Sequence, residues 1–233
     1  SDRKAIIRSF PVTESLAVMD TIITDKTGTL TENKMTAQKI WVLDQDMISV
    51  MGQGLSMEGD FIQQDKVITP LDHPAMSQLI HIAGLAHNGR VYEDMTDEIH
   101  QLKSMGDPTE VALGVMAAKG GLKKEPLDTE WKRILDLPFR SENKYRASYV
   151  HNKDNDIYQL MVIGASEKVL SMSTYILNAS GKSIHLTEEH MNKVSEAVVM
   201  LSRQAMRVIA LAYQEYKSSL ATIDPQGVKN LVF

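Results

Sequence analysis

The residues best suited to chemistry lie in one heptapeptide, Asp25-Lys26-Thr27-Gly28-Thr29-Leu30-Thr31. An aspartate carboxylate can attack phosphorus and form an aspartyl phosphate, and Gly28 permits a sharp turn and the close approach of a ligand. Residues 19–24 are apolar and β-branched at their centre, which predicts a buried strand of a parallel sheet ending at Asp25. Because ligands of open α/β sheets bind at the carboxyl ends of strands, we expect a phosphoryl-transfer site here.

An ordinary polar turn with Asp25 as a helix cap is an alternative interpretation, although such a turn does not require this heptapeptide. The heptapeptide resembles the phosphorylation motif of P-type ATPases, which are cation pumps that phosphorylate themselves on aspartate. Residues 30–35 are similar to the family's usual continuation. The resemblance implies that Asp25 is the catalytic nucleophile, that ATP is the phosphoryl donor, and that Asp25 and the Thr27 carbonyl bind Mg²⁺.

Two other function classes share part of this pattern. Haloacid-dehalogenase-like phosphotransferases also place an aspartate after a strand, but their phosphatases carry a second aspartate two residues later, where this chain has Thr27. Without that general acid, a phosphorylated Asp25 lacks a local route to fast hydrolysis, which suits a pump and argues against a phosphatase. A stand-alone adenine-nucleotide-binding module is the remaining alternative.

The composition is that of a soluble globular protein, with 43% hydrophobic and 24% charged residues among 233. A net charge of −5 gives no indication of a nucleic-acid or anionic-membrane surface, and the lack of cysteine excludes disulfides. No stretch approaches the roughly 18 apolar residues of a membrane span. Because a P-type pump needs many spans, we expect a cytoplasmic domain of an integral membrane protein. Its partners would be the remaining phosphorylation, actuator and transmembrane domains of the same chain, the last binding the transported cation.

The predicted elements, taken with the resemblance, imply an α/β (α+β) fold in which an antiparallel sheet is flanked by helices. Residues 133–150 predict two strands around a Pro-Phe turn and residues 157–163 a third, and their short connections indicate an antiparallel meander. Further predicted elements are a strand at 36–43, a connection over 44–70 with a short strand near Val67-Ile68, helices over 74–88 and 108–119, a helix from Thr187 with Met191, Val194, Val198 and Leu201 as its core stripe, and a buried strand at 207–213. His81 and His87 are predicted to be solvated or capping residues, since a metal site needs further ligands at suitable spacing.

The pentapeptide Gly106-Asp107-Pro108-Thr109-Glu110 supports two interpretations at once. Asp107 is a favourable N-cap, Pro108 suits the first helical position, and Glu110 occupies the third position of a capping box. The pentapeptide also resembles a segment of the P-type nucleotide-binding domain whose acidic residue lies by the nucleotide. The resemblance implies that Glu110 is a nucleotide-binding residue.

Phe139 and Lys144 are the next candidates. Phe139 follows Pro138 between two predicted strands, and its alternative role is ordinary core packing. In the P-type family the corresponding aromatic residue stacks on adenine and a lysine five residues later lines the same pocket. The resemblance therefore implies nucleotide binding by Phe139 and Lys144, in keeping with the stacking and charge that these side chains offer.

The stretch Ile163-Gly164-Ala165-Ser166-Glu167 resembles the family's Lys-Gly-Ala-x-Glu motif, which implies nucleotide binding at Gly164 and Ala165. Its alternative interpretation is a strand end followed by a helix start. Ile163 departs from the family's lysine, so we expect Lys144 or Arg140 to supply the missing charge. Arg207 resembles the family's arginine that reaches toward the nucleotide phosphates.

These motifs imply a nucleotide-binding domain inserted into a phosphorylation domain. We expect residues 1–35 to begin a haloacid-dehalogenase-like phosphorylation domain, residues 36–228 to form the nucleotide-binding domain, and residues 229–233 to return to the phosphorylation domain. The spelling of Gly106 to Glu110 is closer to the calcium and sodium-potassium branch of the family than to the heavy-metal branch.

Overall fold

The computed structural model describes residues 18–25, 29–31, 34–94 and 101–233. The chain divides into two units after Lys34. In the part of the chain that the structure describes, no helix is both long and apolar enough to cross a membrane.

The predicted buried strand before Asp25 is wrong. Residues 18–25 form no strand, and Val18, Ile22 and Ile23 are 83%, 79% and 96% exposed. A parallel strand is stable only when neighbouring strands bond its N–H and C=O groups and cover its side chains. None of the described residues of the first unit forms such a neighbour.

The second unit is built on strands and helices with the following bounds. The strands are β1 (Lys39–Ile40), β2 (Ile48–Val50), β3 (Phe61–Gln63), β4 (Lys66–Ile68), β5 (Arg90–Asp94), β6 (Gln101–Met105), β7 (Trp131–Leu137), β8 (Tyr145–Asn152), β9 (Ile157–Gly164), β10 (Ser173–Leu177), β11 (Ser183–His185), β12 (Ala210–Tyr216) and β13 (Leu231–Val232). The helices are α1 (Pro74–Leu85), α2 (Pro108–Lys119), α3 (Lys124–Glu130), α4 (Ser166–Ser171) and α5 (Glu188–Arg203).

A seven-stranded sheet in the order β11-β10-β13-β12-β9-β8-β7 forms the centre of this unit. β7, β8 and β9 form the predicted antiparallel meander, and β12 pairs antiparallel with β9. The predicted fold class, an antiparallel sheet flanked by helices, is confirmed, with β10 and β13 as a parallel pair. The sequence predicts this region well because short polar turns leave hairpins as the only simple connection.

Both faces of the central strands are covered. One face packs against α1, whose Met76 and Ile80 are fully buried. The opposite face carries Tyr145 and Tyr149, whose hydroxyls donate to the carbonyls of Pro225 and Ser218 at 2.7 Å each. Those bonds satisfy the polar ends of two fully buried rings and fix β8 in the sheet.

Residues 39–68 form a second, four-stranded sheet in the order β1-β2-β3-β4. The strand predicted near Val67-Ile68 is confirmed as β4, whereas β2 and β3 escaped prediction because short strands among glycines and polar residues give weak periodicity. The strand predicted over residues 36–43 is largely wrong. Only Lys39–Ile40 is a strand, and Leu43 makes an isolated parallel bridge with Asn178.

The helix starts agree with the predictions, whereas the end of α1 and the burial of one residue of α5 differ from them. Asp107 caps α2 as predicted, and Thr187 caps α5 by accepting a hydrogen bond from the His190 N–H at 3.3 Å. α1 ends at Leu85 rather than near residue 88. Met191 is 39% exposed, so its assignment to the core is wrong.

The last described strand, β13, lies between β10 and β12 in the large sheet. The assignment of residues 229–233 to a returning phosphorylation domain stays a prediction. The strand predicted over residues 207–213 instead starts at Ala210, and Arg207 precedes it.

Candidate functional site

One end of the central sheet collects residues from distant parts of the chain. The ladders pair Tyr145 with Gly164 and Gly164 with Ala210, so the start of β8, the end of β9 and the start of β12 lie in one row. β7 ends beside this row at Leu137. The segments that continue from these strand ends carry most of the predicted nucleotide-binding residues: Phe139, Lys144, Gly164, Ala165 and Arg207.

The turn between β7 and β8 presents an aromatic ring to solvent. The backbone N–H groups of Asn143 and Lys144 both donate to the Arg140 carbonyl, at 3.1 and 2.8 Å, which closes a tight turn. Phe139, just before it, is 56% exposed, so the core-packing alternative for this residue is wrong. The ring can therefore offer a free aromatic face to a flat ligand.

Lys144 and the Gly164-Ala165 pair are in direct contact. The Ala165 N–H donates to the Lys144 carbonyl at 2.9 Å. A Cβ added to Gly164 would lie 2.6 Å from that carbonyl oxygen and 2.6 Å from the Tyr145 Cβ, so only glycine lets the two strands approach here. The Lys144 ammonium lies 3.5 Å from the Glu167 carboxylate, and both side chains are mostly exposed.

Glu110 reaches the same end of the sheet from the start of α2. Asp107 accepts hydrogen bonds from the N–H groups of Thr109 and Glu110, at 2.8 and 3.3 Å, and so fixes the first turn of the helix. The Glu110 carboxylate faces away from this cap. It accepts a hydrogen bond from the Asn88 N–H at 2.8 Å and pairs with Arg146 Nη1 at 2.5 Å.

A partly buried ionic network, centred on the buried Arg146, holds the Glu110 carboxylate. Arg146 is only 3% exposed, and its Nη2 contacts both carboxylate oxygens of Asp136 at 2.7 and 3.0 Å. The Ser148 hydroxyl donates to Asp136 at 2.7 Å. Partial burial of Asp136 opposes its ionisation, but the Ser148 hydroxyl and Arg146 outweigh that effect and hold the pKa of this carboxyl below its usual range.

Arg133 ties this network to the end of α1. Its Nη2 donates to the carbonyls of Leu85 and His87 at 2.5 and 2.7 Å, so it caps the terminal turn of the helix. Its Nη1 lies 3.8 Å from Asp136. The network therefore joins α1, α2, β7 and β8 at one point.

Sequence reasoning missed Arg146, although a signal exists. Arg146 and Ser148 alternate with Tyr145, Ala147 and Tyr149, so both polar side chains lie on one face of a strand that is buried from Tyr145 to Val150. A buried arginine needs an acid partner, and Asp136 on the neighbouring strand is the local choice.

Arg207 is exposed at the entry to β12. Its Nη1 donates to the Thr109 hydroxyl at 3.0 Å, next to Glu110 in the chain. The structure thus brings Arg207 to the first turn of α2. It also brings together Lys144, Gly164 and Ala165, and Arg146 links the Glu110 carboxylate to the β8 end of this group.

His87 is 1% exposed, so its predicted solvated or capping role is wrong. Burial, followed by the charges of Lys124, Arg133 and Arg146, lowers the pKa of His87 to about 3. His81 instead directs its Nδ1 to the Ser77 carbonyl, at 2.8 Å, within α1. Among the described residues, no cluster of three His, Cys, Asp or Glu side chains could hold a metal ion.

Asp25 lies in the first unit and belongs to an exposed segment. Thr27, the other predicted Mg²⁺ ligand, lies outside the described residues. The assignments of Asp25 as nucleophile and of both residues as metal ligands stay predictions.

Residues 75–233 match the family model described as P-type ATPase, cytoplasmic domain N. The chain belongs to this family. The match covers the large sheet, its helices and the strand end described above, so the fold and the family agree on this N domain.

Curated relatives of this N domain are cation ATPases. The whole chain is 31% identical over 229 residues to a calcium-transporting ATPase of Bacillus subtilis (strain 168), an alignment that covers 98% of this chain and 25% of the relative. Calcium-transporting ATPase 1 of Bacillus cereus is 32% identical over 231 residues, or 99% of this chain and 23% of the relative. The human calcium-transporting ATPase type 2C member 1 is 32% identical over 212 residues, or 90% of this chain and 22% of the relative. The chain therefore spans about a quarter of the length of these relatives.

Proposed function

We propose that this chain is the ATP-binding cytoplasmic region of a P-type cation-transporting ATPase in a membrane, with ATP bound at the strand end between β7, β8, β9 and β12. The observation that carries the proposal is the row Tyr145–Gly164–Ala210. It gathers an exposed aromatic ring and two exposed basic side chains at one edge of the sheet.

Each proposed contact follows from the chemistry of the side chain. The exposed Phe139 ring stacks on adenine, which contributes about 1–3 kcal/mol per base. Lys144 and Arg207 are exposed cations that can approach phosphate oxygens. Glu110, through its carboxylate, accepts hydrogen bonds from amino groups, and the exocyclic amine of adenine is such a donor.

Phosphoryl transfer is proposed to take place at Asp25. In-line attack by its carboxylate on the γ-phosphorus forms the aspartyl phosphate and releases ADP. Mg²⁺ supplies charge neutralisation when it is bound, with Asp25 and the Thr27 carbonyl as the proposed ligands.

The relatives named above make calcium the first cation to test for the whole protein. We also propose that the whole protein lies in a membrane and that phosphorylation, actuator and transmembrane domains of the same chain are the partners of this region. The isolated chain is proposed to bind nucleotide without sustained turnover. A stand-alone nucleotide-binding module would bind ATP equally well, and it differs in forming no hydroxylamine-labile phosphate on Asp25.

An NMR titration with ATP tests the proposed site. We expect the backbone amide signals of residues 139–145, 164–167 and 207–210 to move together with one dissociation constant. The amides of residues 152–157, at the opposite end of the β8–β9 hairpin, serve as an internal control. If the control residues move and the strand end does not, the site is wrong.

A further inference from the structure

The strand end holds one buried cation, Arg146, in contact with a predicted ligand residue. Its guanidinium bridges Glu110 on α2 and Asp136 on β7, at 2.5 and 2.7 Å. Arg146 follows Lys144 by two residues, and its neighbour Tyr145 pairs with Gly164. The charge of Arg146 therefore lies within the group of residues proposed to bind ATP.

The residue opposite Arg146 is Ile163. The two residues are direct partners in the β8–β9 ladder, so their side chains lie on the same face with Cβ atoms about 4.5–5.5 Å apart. Ile163 is 5% exposed. Two cations placed directly opposite each other in this buried position would repel, so a positive charge at residue 146 disfavours a second positive charge at residue 163.

We propose that Arg146 is the fixed positive charge of the nucleotide pocket and the positioning residue of Glu110, and that positions 146 and 163 share this charge as one unit. The proposal deepens the proposed function and rests on it. Arg146, rather than Lys144 or Arg140, compensates for the apolar Ile163. Without Arg146, Glu110 loses its ion pair and Arg133 alone faces Asp136, which leaves one excess negative charge beside a polyanionic ligand.

The grounds for this assignment are burial and geometry. Arg140 is exposed, and Lys144 is 60% exposed with Glu167 beside it, so water screens both charges. Arg146 is 3% exposed and held by three carboxylate oxygens. A bidentate guanidinium in such a setting fixes its partners in a way that a lysine ammonium cannot.

The test moves the positive charge from residue 146 to residue 163, its partner on the neighbouring strand. NMR titrations with ATP and with uncharged adenosine, together with thermal melts, are carried out on four variants: Arg146→Met, Ile163→Lys, the double variant and Lys153→Met. Lys153→Met removes one positive charge from the exposed turn at the far end of the same hairpin and is the matched control. We expect Arg146→Met to lower the affinity for ATP at least tenfold, because a buried positive charge is lost. The affinity for adenosine should fall less, because adenosine carries no negative charge. The double variant should return ATP affinity to within about threefold of the parent.

The melts and titrations together separate the alternatives. Ile163→Lys alone should melt at a lower temperature than the parent, because the introduced ammonium and the Arg146 guanidinium repel. If Arg146→Met folds and binds ATP as the parent does, the proposal is wrong. If Arg146→Met does not fold, the double variant must recover both folding and ATP binding, and its failure overturns the proposal. If the parent chain binds no ATP, the proposed function fails instead, and the melting temperatures alone still report whether positions 146 and 163 exclude two charges.

Discussion

Replacing Phe139 with alanine is the most direct test of the nucleotide site. The ring is 56% exposed, so less than half of it contributes to packing. Full burial of a phenylalanine side chain is worth about 1.5–3 kcal/mol, so its removal should cost the fold about 1 kcal/mol. For a unit of this size that corresponds to a fall in melting temperature of about 2–4 °C.

Phe139→Ala should lose a larger fraction of its ATP binding free energy than of its free energy of unfolding. Loss of base stacking removes about 1–3 kcal/mol, a factor of roughly 5–150 in the dissociation constant. We expect the parent chain to bind ATP weakly, with a dissociation constant on the order of 0.1 to several mM, or about −3 to −5.5 kcal/mol. Phe139→Ala should therefore bind ATP about 5–150-fold more weakly than the parent in an NMR titration, while its melting curve stays cooperative.

Tyr92→Ala provides the matched control, because Tyr92 is a 49% exposed aromatic residue on the β5–β6 hairpin. It should lose a similar small amount of stability and keep the parent's ATP affinity. Equal ATP binding by Phe139→Ala and the parent would refute the stacking role. Loss of cooperative melting in Phe139→Ala would instead show that the ring supports the core.

His87 should make stability depend on pH, because it is neutral in the fold with a pKa of about 3 and titrates near 6.5 when unfolded, where the chain binds the extra proton. The contribution of His87 to the free energy of unfolding should be complete above pH 6.5 and should fall by about 1.4 kcal/mol per pH unit down to about pH 3. Urea unfolding at several pH values should show that this free energy depends less steeply on pH in His87→Gln than in the parent. Gly114→Ala should lower stability by about 1–3 kcal/mol despite the better helix propensity of alanine, because its Cβ would lie 2.6 Å from the His87 ring, and adding His87→Ala should relieve part of that loss in thermal melts. The isolated chain should release phosphate from ATP no faster than Asp25→Asn, and Asp25-dependent turnover of even about one per second would contradict the proposal of an inactive fragment.

The elements that could be predicted from sequence are those specified by local chemistry. Asp107 and Pro108 specify a helix start by themselves, and the turn at residues 138–144 leaves β7 and β8 no other arrangement than a hairpin. The exposure of Phe139 could not be predicted in this way, because an aromatic residue at a strand end suits a core and a binding surface equally well.

Long-range effects account for the rest. One of the two acid partners of the buried Arg146 is Glu110, which lies 36 residues earlier in the chain and reaches it from another element. The apolar pattern of residues 19–24 resembles that of a strand, but a strand also needs neighbours that a local pattern cannot report. His87 escaped prediction for a similar reason, since Gly114 on α2 provides the space for its ring.

The large sheet is weakly paired between β12 and β13, and this affects the cooperativity of its unfolding. β12 and β13 share a single registered pair, Tyr213 with Val232, whereas β8 and β9 share eight. β10 and β11, with α5 beside them, are therefore held to the meander through a two-residue strand and its side chains. Native-state hydrogen exchange should divide the sheet into two cooperative blocks, with the amides of β10 and β11 opening at a lower free energy than those of β8 and β9. The ends of β8, β9 and β12 that carry the proposed nucleotide site belong to the block that we expect to be more stable, so local opening of the smaller block should leave their pairing unchanged.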